Sequence, residues 1–141
     1  MKLTKNFTLE EFIESRFYTE EVQEGVWISY DNDCEILEPN LQRLASNLQV
    51  LRDYVSKSVI INIAYRPSWY EINMGRSGTS QHCSAKASDI VVSGMTPDEV
   101  ADTIELLIAE GKMEQGGLGR YDTFTHFDVR GYKARWDERS K

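Results

Sequence analysis

The sequence predicts an α+β fold, with a small, mostly antiparallel sheet and helices packed on one side of it. Apolar residues recur at three- and four-residue steps over residues 38–56 and 97–110, which is the spacing of amphipathic helices. Between and after these stretches lie short runs rich in β-branched residues, bounded by turn-forming residues. The predicted strands lie near residues 59–65, 86–92, 118–122 and 124–130.

Length and composition favour one globular domain that spans residues 1–141. Apolar residues make up 40% of the chain, which is too high a share for a disordered protein. The formal net charge of −7 argues against a nucleic-acid-binding surface, which requires a basic patch. No apolar run approaches the ~20 residues of a membrane span, and no apolar segment of a signal peptide follows the N-terminus. We therefore expect a monomer that is made in the cytoplasm and stays there or is released by another route, as a phage-encoded protein is.

Capping signals mark where two of the helices begin. Thr8 and Glu11 have the spacing of a capping box at the start of a short helix over residues 8–16. Thr96 and Glu99 have the same spacing at the start of the last helix. The longest helix carries an apolar stripe that must face a core, formed by Leu41, Leu44, Leu48, Leu51 and Val55.

One strand contains a carboxylate, and another ends at a basic residue. Asp89 lies within residues 86–92, where the neighbouring side chains are mostly apolar. Because an unpaired buried carboxylate is costly, Asp89 needs a partner, which is either a metal ion or an ion pair. The first strand ends at Arg66-Pro67, because proline cannot donate to the ladder of a sheet. Arg66 therefore lies where a strand runs into the loop of residues 67–81.

Both histidines of the chain lie near a carboxylate in sequence. His82 precedes Asp89 by seven residues, and His126 shares a strand face with Asp128 because side chains alternate along a strand. Two imidazoles and one carboxylate are a recurrent ligand set of catalytic zinc, with the fourth position left to water. We therefore expect His82, Asp89 and His126 to bind Zn²⁺. The tail at residues 131–136 is basic and aromatic, and we expect it to cover the sheet edge.

The two cysteines, Cys34 and Cys83, follow no spacing that is typical of a metal site or a disulfide framework. We therefore expect two free thiols. Cys83 is adjacent to His82, but neighbouring side chains of an extended chain point to opposite sides. That geometry disfavours Cys83 as a thiolate ligand of the same ion.

Two motifs resemble those of a known enzyme family. The first is Ser-x-His, six residues and Asp, at Ser80, His82 and Asp89. The second is Gly-Gly-x-Gly-x-Tyr followed by Phe-x-His-x-Asp-x-Arg, within residues 116–130. Together they resemble the zinc D-alanyl-D-alanine carboxypeptidase superfamily, and the resemblance extends over about residues 59–136. That group includes cell-wall D,D-carboxypeptidases, vancomycin-resistance D,D-dipeptidases, peptidoglycan endopeptidases and phage endolysins, and its scaffold is related to the hedgehog signalling domain.

The resemblance implies a role for the side chains of these motifs and for Arg66. His82, Asp89 and His126 match the zinc ligands of the family. Arg66 matches an arginine that binds a substrate carboxylate or stabilises an oxyanion, although it also fits a surface salt bridge. Ser80 matches a serine that hydrogen-bonds within the zinc site, although a turn cap is the alternative.

At the positions where members of this family carry the general base, this chain has other residue types. Relatives place a histidine two residues, or an acid three residues, before the second zinc histidine, whereas this chain has Phe124 and Thr123 at those positions. We expect Asp128 either to act as the base or to orient His126 by a hydrogen bond to its other ring nitrogen. Asp122 is the remaining candidate for the base.

The resemblance implies zinc-dependent hydrolysis of peptide bonds in peptidoglycan stem peptides, by a D,D-carboxypeptidase or by an endopeptidase of the endolysin type. Arg66 and Asp128 favour this enzyme. The missing histidine favours a second hypothesis, which is a non-catalytic, zinc-stabilised binding module or phage structural module. A third hypothesis is an interaction domain that holds no metal.

Overall fold

The computed structural model describes residues 2–12, 37–65, 74–75, 81–82 and 86–140. The helices in these ranges are α1 (Leu9–Phe12), α2 (Leu37–Val55) and α3 (Pro97–Ala109). The strands are β1 (Val59–Ile63), β2 (Ala87–Val92), β3 (Gly117–Arg120), β4 (Thr125–Asp128) and β5 (Ala134–Asp137). The predicted strands and the two long helices are therefore confirmed, and their ends move by no more than one or two residues. For the short first helix, residues 13–16 lie outside the described part of the chain.

The strands form one mixed sheet in the order β1-β2-β4-β3-β5. Every neighbouring pair is antiparallel except β3 and β5, which run parallel. The predicted α+β class with a mostly antiparallel sheet is confirmed. The tail that we expected to cover the sheet edge contains a fifth strand, β5, which forms that edge beside β3.

The helices pack on one face of the sheet and enclose the core there. The apolar stripe of α2 is buried as predicted, and its leucines belong to the same cluster as the side chains of the sheet. Ile90, Leu118 and Phe127 are almost fully buried and alternate along their strands with residues of the opposite face. The core residues that α3 contributes are Val100, Ala101, Ile104 and Leu107.

Helix α3 begins at the predicted capping box. The side-chain oxygen of Thr96 accepts a hydrogen bond from the Glu99 amide at 3.2 Å. The Glu99 carboxylate accepts one from the Thr96 amide at 2.9 Å. Both donors would otherwise be unpaired at the helix start, so the cap fixes where α3 begins over the sheet.

Ion pairs attach the C-terminal part of the chain to the acidic side of α3. Arg120 pairs with Asp98 at 3.1 Å, and Arg139 pairs with the same aspartate at 2.6 Å. Arg135 on β5 pairs with Glu105 at 2.8 Å. The Arg135 pair holds β5 at the sheet edge, and Ala134 and Trp136, which alternate with Arg135, face away from α3. Among the described helices, none combines the length and the apolar character needed to cross a bilayer.

Candidate metal centre

A single row of paired residues crosses the sheet at the candidate site. Asp89 on β2 pairs with His126 on β4, and His126 pairs with Gly119 on β3. Gly119 pairs in turn with Trp136 on β5, and Asp89 pairs with Ile63 on β1. Residues directly opposite each other on neighbouring strands project from the same face of the sheet. The register therefore brings Asp89, His126 and Trp136 together on the face opposite α3.

The third predicted ligand, His82, reaches this row from a turn just before β2. One ligand atom from each of His82, Asp89 and His126 lies within 4.8 Å of the other two, and all three residues are buried. Asp89 Oδ1 lies 3.4 Å from His82 Nε2 and 3.0 Å from His126 Nδ1. Donors around a tetrahedral zinc ion are ~3.3 Å apart, since each bond is about 2.0–2.1 Å long. The two distances from Asp89 are therefore close to the spacing of neighbouring zinc ligands.

A backbone carbonyl fixes which nitrogen of His82 faces the site. His82 Nδ1 lies 2.8 Å from the carbonyl oxygen of Ala64, just beyond the end of β1. A carbonyl only accepts hydrogen bonds, so Nδ1 must carry the proton. The lone pair of the neutral ring then lies on Nε2, the nitrogen that faces Asp89. This is the arrangement that a histidine ligand needs.

A carboxylate fixes the orientation of His126 in the same way. His126 Nε2 lies 2.7 Å from Asp128 Oδ2, while Nδ1 faces Asp89. An Nε2–H that donates to Asp128 leaves the lone pair of the neutral ring on Nδ1, toward the other two donors. A ligating histidine whose second nitrogen donates to a carboxylate is a common arrangement at zinc sites.

Asp128 is enclosed by hydrogen-bond donors on every side. Its side chain is 0% exposed. Oδ1 accepts hydrogen bonds from the Gly117 amide at 2.9 Å, the Arg130 amide at 3.1 Å and Arg130 Nε at 2.8 Å. Oδ2 accepts from Arg130 Nη2 at 2.7 Å, in addition to His126. A Cβ on Gly117 would lie 2.7 Å from Asp128 Cγ and 2.8 Å from Arg130 Nε, so only glycine leaves room for this cluster.

The electrostatics of the site favour ionised carboxylates. Burial disfavours the charge of Asp89, but in the metal-free protein hydrogen bonds from the protonated rings of His126 and His82 outweigh it and hold the pKa of Asp89 well below its ordinary value. Burial also disfavours the charge of Asp128, but hydrogen bonds from His126 and Arg130 hold its pKa low too. For His126, burial would lower the pKa, but hydrogen bonds to the two carboxylates outweigh it and raise the pKa. Ionised Asp89 between the two imidazoles favours a bound cation, and the neutral ring that His126 needs as a ligand forms when the cation replaces its added proton.

Trp136 forms one wall of the site beside His126. Its ring centroid lies 4.8 Å from that of the imidazole, and the ring of His82 lies 5.1 Å away from His126. The indole Nε1–H donates to the Tyr121 hydroxyl at 2.8 Å, which fixes the ring plane. The indole reaches His126 across Gly119, where a Cβ would lie only 2.8 Å from Trp136 Cζ2 and still closer to Nε1. The third glycine of the Gly-Gly-x-Gly motif is therefore required by the packing of the indole.

The structure brings together the three predicted ligands and places Asp128 behind one of them. The donor types, their burial and their spacing fit a zinc ion. Asp122 lies in the exposed turn between β3 and β4, where it accepts hydrogen bonds from the Ser140 amide and hydroxyl at 3.1 and 2.6 Å. Arg66 and Ser80 lie outside the described residues, as does Cys83.

The predicted site residues did not include Trp136 or the two glycines of β3, although those glycines belong to the Gly-Gly-x-Gly motif. The alternation of Gly117 and Gly119 on one face of a strand is the signal that predicts close approach of other groups. What fills that space depends on the parallel pairing of β3 with β5. That pairing joins two strands that are not adjacent in sequence, and no local pattern predicts it.

Comparison with known proteins agrees with this geometry. A family model described as peptidase M15 matches residues 5–128. The match includes His82, Asp89, His126 and Asp128, and it ends before Arg130. No curated protein and no solved structure gave a significant match. Because the family model spans most of the 141 residues and the predicted ligands meet on one sheet face, the chain belongs to the peptidase M15 family.

Proposed function

We propose that this protein is a zinc-dependent peptidase that hydrolyses peptide bonds in the stem peptides of peptidoglycan. The hydrolysed bond is either the terminal bond that a D,D-carboxypeptidase cleaves or the bond that an endopeptidase of the endolysin type cleaves. The observation that carries the proposal is the buried group of His82, Asp89 and His126, in which each imidazole directs one nitrogen to the same carboxylate. Membership in the peptidase M15 family supports a metallopeptidase.

The protein side chains have separate tasks in this reaction. His82, Asp89 and His126 hold the metal, and their second contacts fix the imidazoles in the ligating tautomer. Bound zinc supplies Lewis acidity, which polarises a peptide carbonyl and allows water to act as a nucleophile near neutral pH. Arg66 remains our candidate for binding a substrate carboxylate or stabilising the oxyanion, and Ser80 for a hydrogen bond within the site.

The contacts of Asp128 favour the second of the two roles expected for it. A general base must present a free lone pair to the proton that it takes up. Both oxygens of Asp128 already accept hydrogen bonds from His126, Arg130 and Gly117, and the side chain is fully buried. We therefore propose that Asp128 orients His126. Asp122 is held by Ser140 in an exposed turn, which gives no support for a base there.

One observation favours the non-catalytic alternative. Phe124 occupies the position where some relatives have a catalytic histidine, and its ring stacks on Tyr121 with a centroid distance of 4.2 Å. Tyr121 in turn accepts the hydrogen bond from Trp136. This position therefore contributes packing beside the metal site, as it would in a zinc-stabilised binding module or a phage structural module.

The test is mass spectrometry of muropeptides incubated with zinc-loaded protein, with chelator-treated protein and His126→Ala as matched controls. We expect zinc-dependent loss of a terminal residue or cleavage of a cross-link, which also identifies the bond. Cleavage by the wild type with neither control active supports the peptidase. A folded, zinc-loaded wild type that leaves every muropeptide intact contradicts it and favours the binding module.

A further inference from the structure

Arg130 connects two groups that both contact His126. Its guanidinium binds Asp128 through two parallel hydrogen bonds, from Nε to Oδ1 at 2.8 Å and from Nη2 to Oδ2 at 2.7 Å. Asp128 Oδ2 is also the atom that accepts from His126 Nε2. Displacement of the guanidinium would therefore allow the carboxylate to rotate away from the imidazole.

The same guanidinium stacks on the aromatic wall of the site. Its central carbon lies 5.3 Å from the centroid of the Trp136 ring and 5.6 Å from that of Tyr132. Trp136 contacts the His126 ring directly. Stacking of this kind requires the planar guanidinium, and an ammonium group does not replace its shape or its two-point contact. Arg130 thus holds both the carboxylate and the indole in place around one imidazole.

We propose that Arg130 is a positioning residue for the metal centre, which fixes the orientation of His126 through Asp128 and Trp136 together. This inference rests on the proposed role of His126 as a metal ligand. Arg130 is not a member of the three-residue ligand group, and it is the last residue of the Phe-x-His-x-Asp-x-Arg motif, just beyond the segment matched by the family model. Loss of such an outer partner lowers metal affinity by roughly 10–100-fold at other zinc sites.

The alternative role for Arg130 is that of an ordinary ion pair that only stabilises the fold. The chain offers a matched control in Arg135, which makes the same kind of pair with Glu105 on the opposite side of the sheet. Its side chain is 23% exposed, compared with 17% for Arg130. Its carboxylate partner Glu105 is 42% exposed, whereas Asp128 is fully buried, and Arg135 also donates to the Gly116 carbonyl at 2.6 Å. Removal of Arg135 therefore removes an arginine–carboxylate pair without a contact to His126, and the thermal midpoints account for the difference in stability between the two variants.

The experiment measures zinc affinity of the full chain by competition with a chromogenic chelator, and the absorption spectrum of the Co²⁺-loaded protein. The variants are Arg130→Gln, Arg130→Lys and Arg135→Gln, and the thermal midpoint of each metal-free protein reports its stability. We expect Arg130→Gln to lower zinc affinity about 10–100-fold and to change the Co²⁺ spectrum. Arg130→Lys should lose affinity as well, since it keeps the charge but not the planar contact. Arg135→Gln should keep zinc affinity within about twofold and leave the spectrum unchanged.

Three results would overturn the inference. The first is a zinc affinity of Arg130→Gln that equals that of the wild type. The second is a loss of zinc affinity in Arg135→Gln as large as that in Arg130→Gln, because zinc affinity would then follow general stability. If Arg130→Gln does not fold, Arg130→Lys decides, and wild-type affinity and spectrum in that variant reject a positioning role. A wild-type protein that binds no zinc would instead refute the metal site itself, and with it both proposals.

Discussion

Replacement of Gly119 by alanine should destabilise the protein by forcing Trp136 away from His126. A Cβ at position 119 would lie 2.8 Å from Trp136 Cζ2, and closer still to the Cε2 and Nε1 atoms. Carbon atoms in contact normally lie about 3.5–4.0 Å apart. The indole must therefore move by roughly 1 Å, which also stretches its 2.8 Å hydrogen bond to the Tyr121 hydroxyl.

The size of the effect follows from two opposing contributions. Overpacking costs about 1–3 kcal/mol, and a weakened hydrogen bond adds about 1 kcal/mol. Alanine regains about 0.5–1 kcal/mol relative to glycine in a strand, because the unfolded chain has less backbone freedom to lose. We therefore expect a net loss of about 1–3 kcal/mol in the free energy of unfolding. For 141 residues, with ~2.1 cal/mol/K of unfolding entropy per residue, that loss lowers Tm by roughly 3–10 °C.

The assay is thermal and chemical denaturation of four proteins: the wild type, Gly119→Ala, Trp136→Ala and the double variant. An alanine at position 136 lacks all of the indole atoms that the new methyl group would strike. Gly119→Ala should therefore cost at least about 1 kcal/mol less in the Trp136→Ala background, as a double-mutant cycle measures. The reasoning is refuted if Gly119→Ala is as stable as the wild type. It is refuted equally if the two substitutions are additive.

Other substitutions and metal removal test separate parts of the account. Thr96→Ala removes the acceptor for the Glu99 amide, so we expect a loss of about 1 kcal/mol in the free energy of unfolding. Zinc affinity should stay unchanged, because α3 lies on the other face of the sheet. A change in zinc affinity would show that this face is not independent of the metal site. Asp128→Asn should lower zinc affinity about 10–100-fold if Asp128 orients His126, whereas unchanged affinity with reduced turnover would identify it as the base. A chelator should lower Tm by roughly 9 °C relative to protein with free zinc at about 100 times Kd, since zinc binding to the folded state then contributes about 2.7 kcal/mol. Equal values of Tm with and without chelator would argue for a domain that holds no metal.

The helices could be predicted because their signals are local, and the two sequence motifs led to the expectation that His82, Asp89 and His126 lie together, as they do in the structure. The capping box at Thr96 and Glu99 has a fixed three-residue spacing, and the structure contains both of its hydrogen bonds. Asp89 was identifiable because a carboxylate in an otherwise apolar strand needs a partner, and His126 lies directly opposite it on the neighbouring strand. These inferences depend on the alternation of side chains, which the sequence determines once a strand is recognised.

The surroundings of the ligands depend on contacts between distant segments. The sequence placed Asp128 on the same face as His126 but left open whether it acts as a base or as an orienting group. The buried amide of Gly117 and the guanidinium of Arg130 favour the second role, and the first of these comes from another strand. The position of Trp136 follows from a parallel pairing between β3 and β5, which has no counterpart in the local pattern.

The most direct test of the metal centre is X-ray absorption at the zinc edge on the purified, zinc-loaded protein. We expect one zinc per chain, with only nitrogen and oxygen ligands at about 2.0–2.2 Å and with the scattering pattern of two imidazoles. The proposed donors are His82, Asp89 and His126. A sulfur ligand at about 2.3 Å, which would implicate a cysteine such as Cys83, would contradict the assignment, as would a folded protein that binds no zinc.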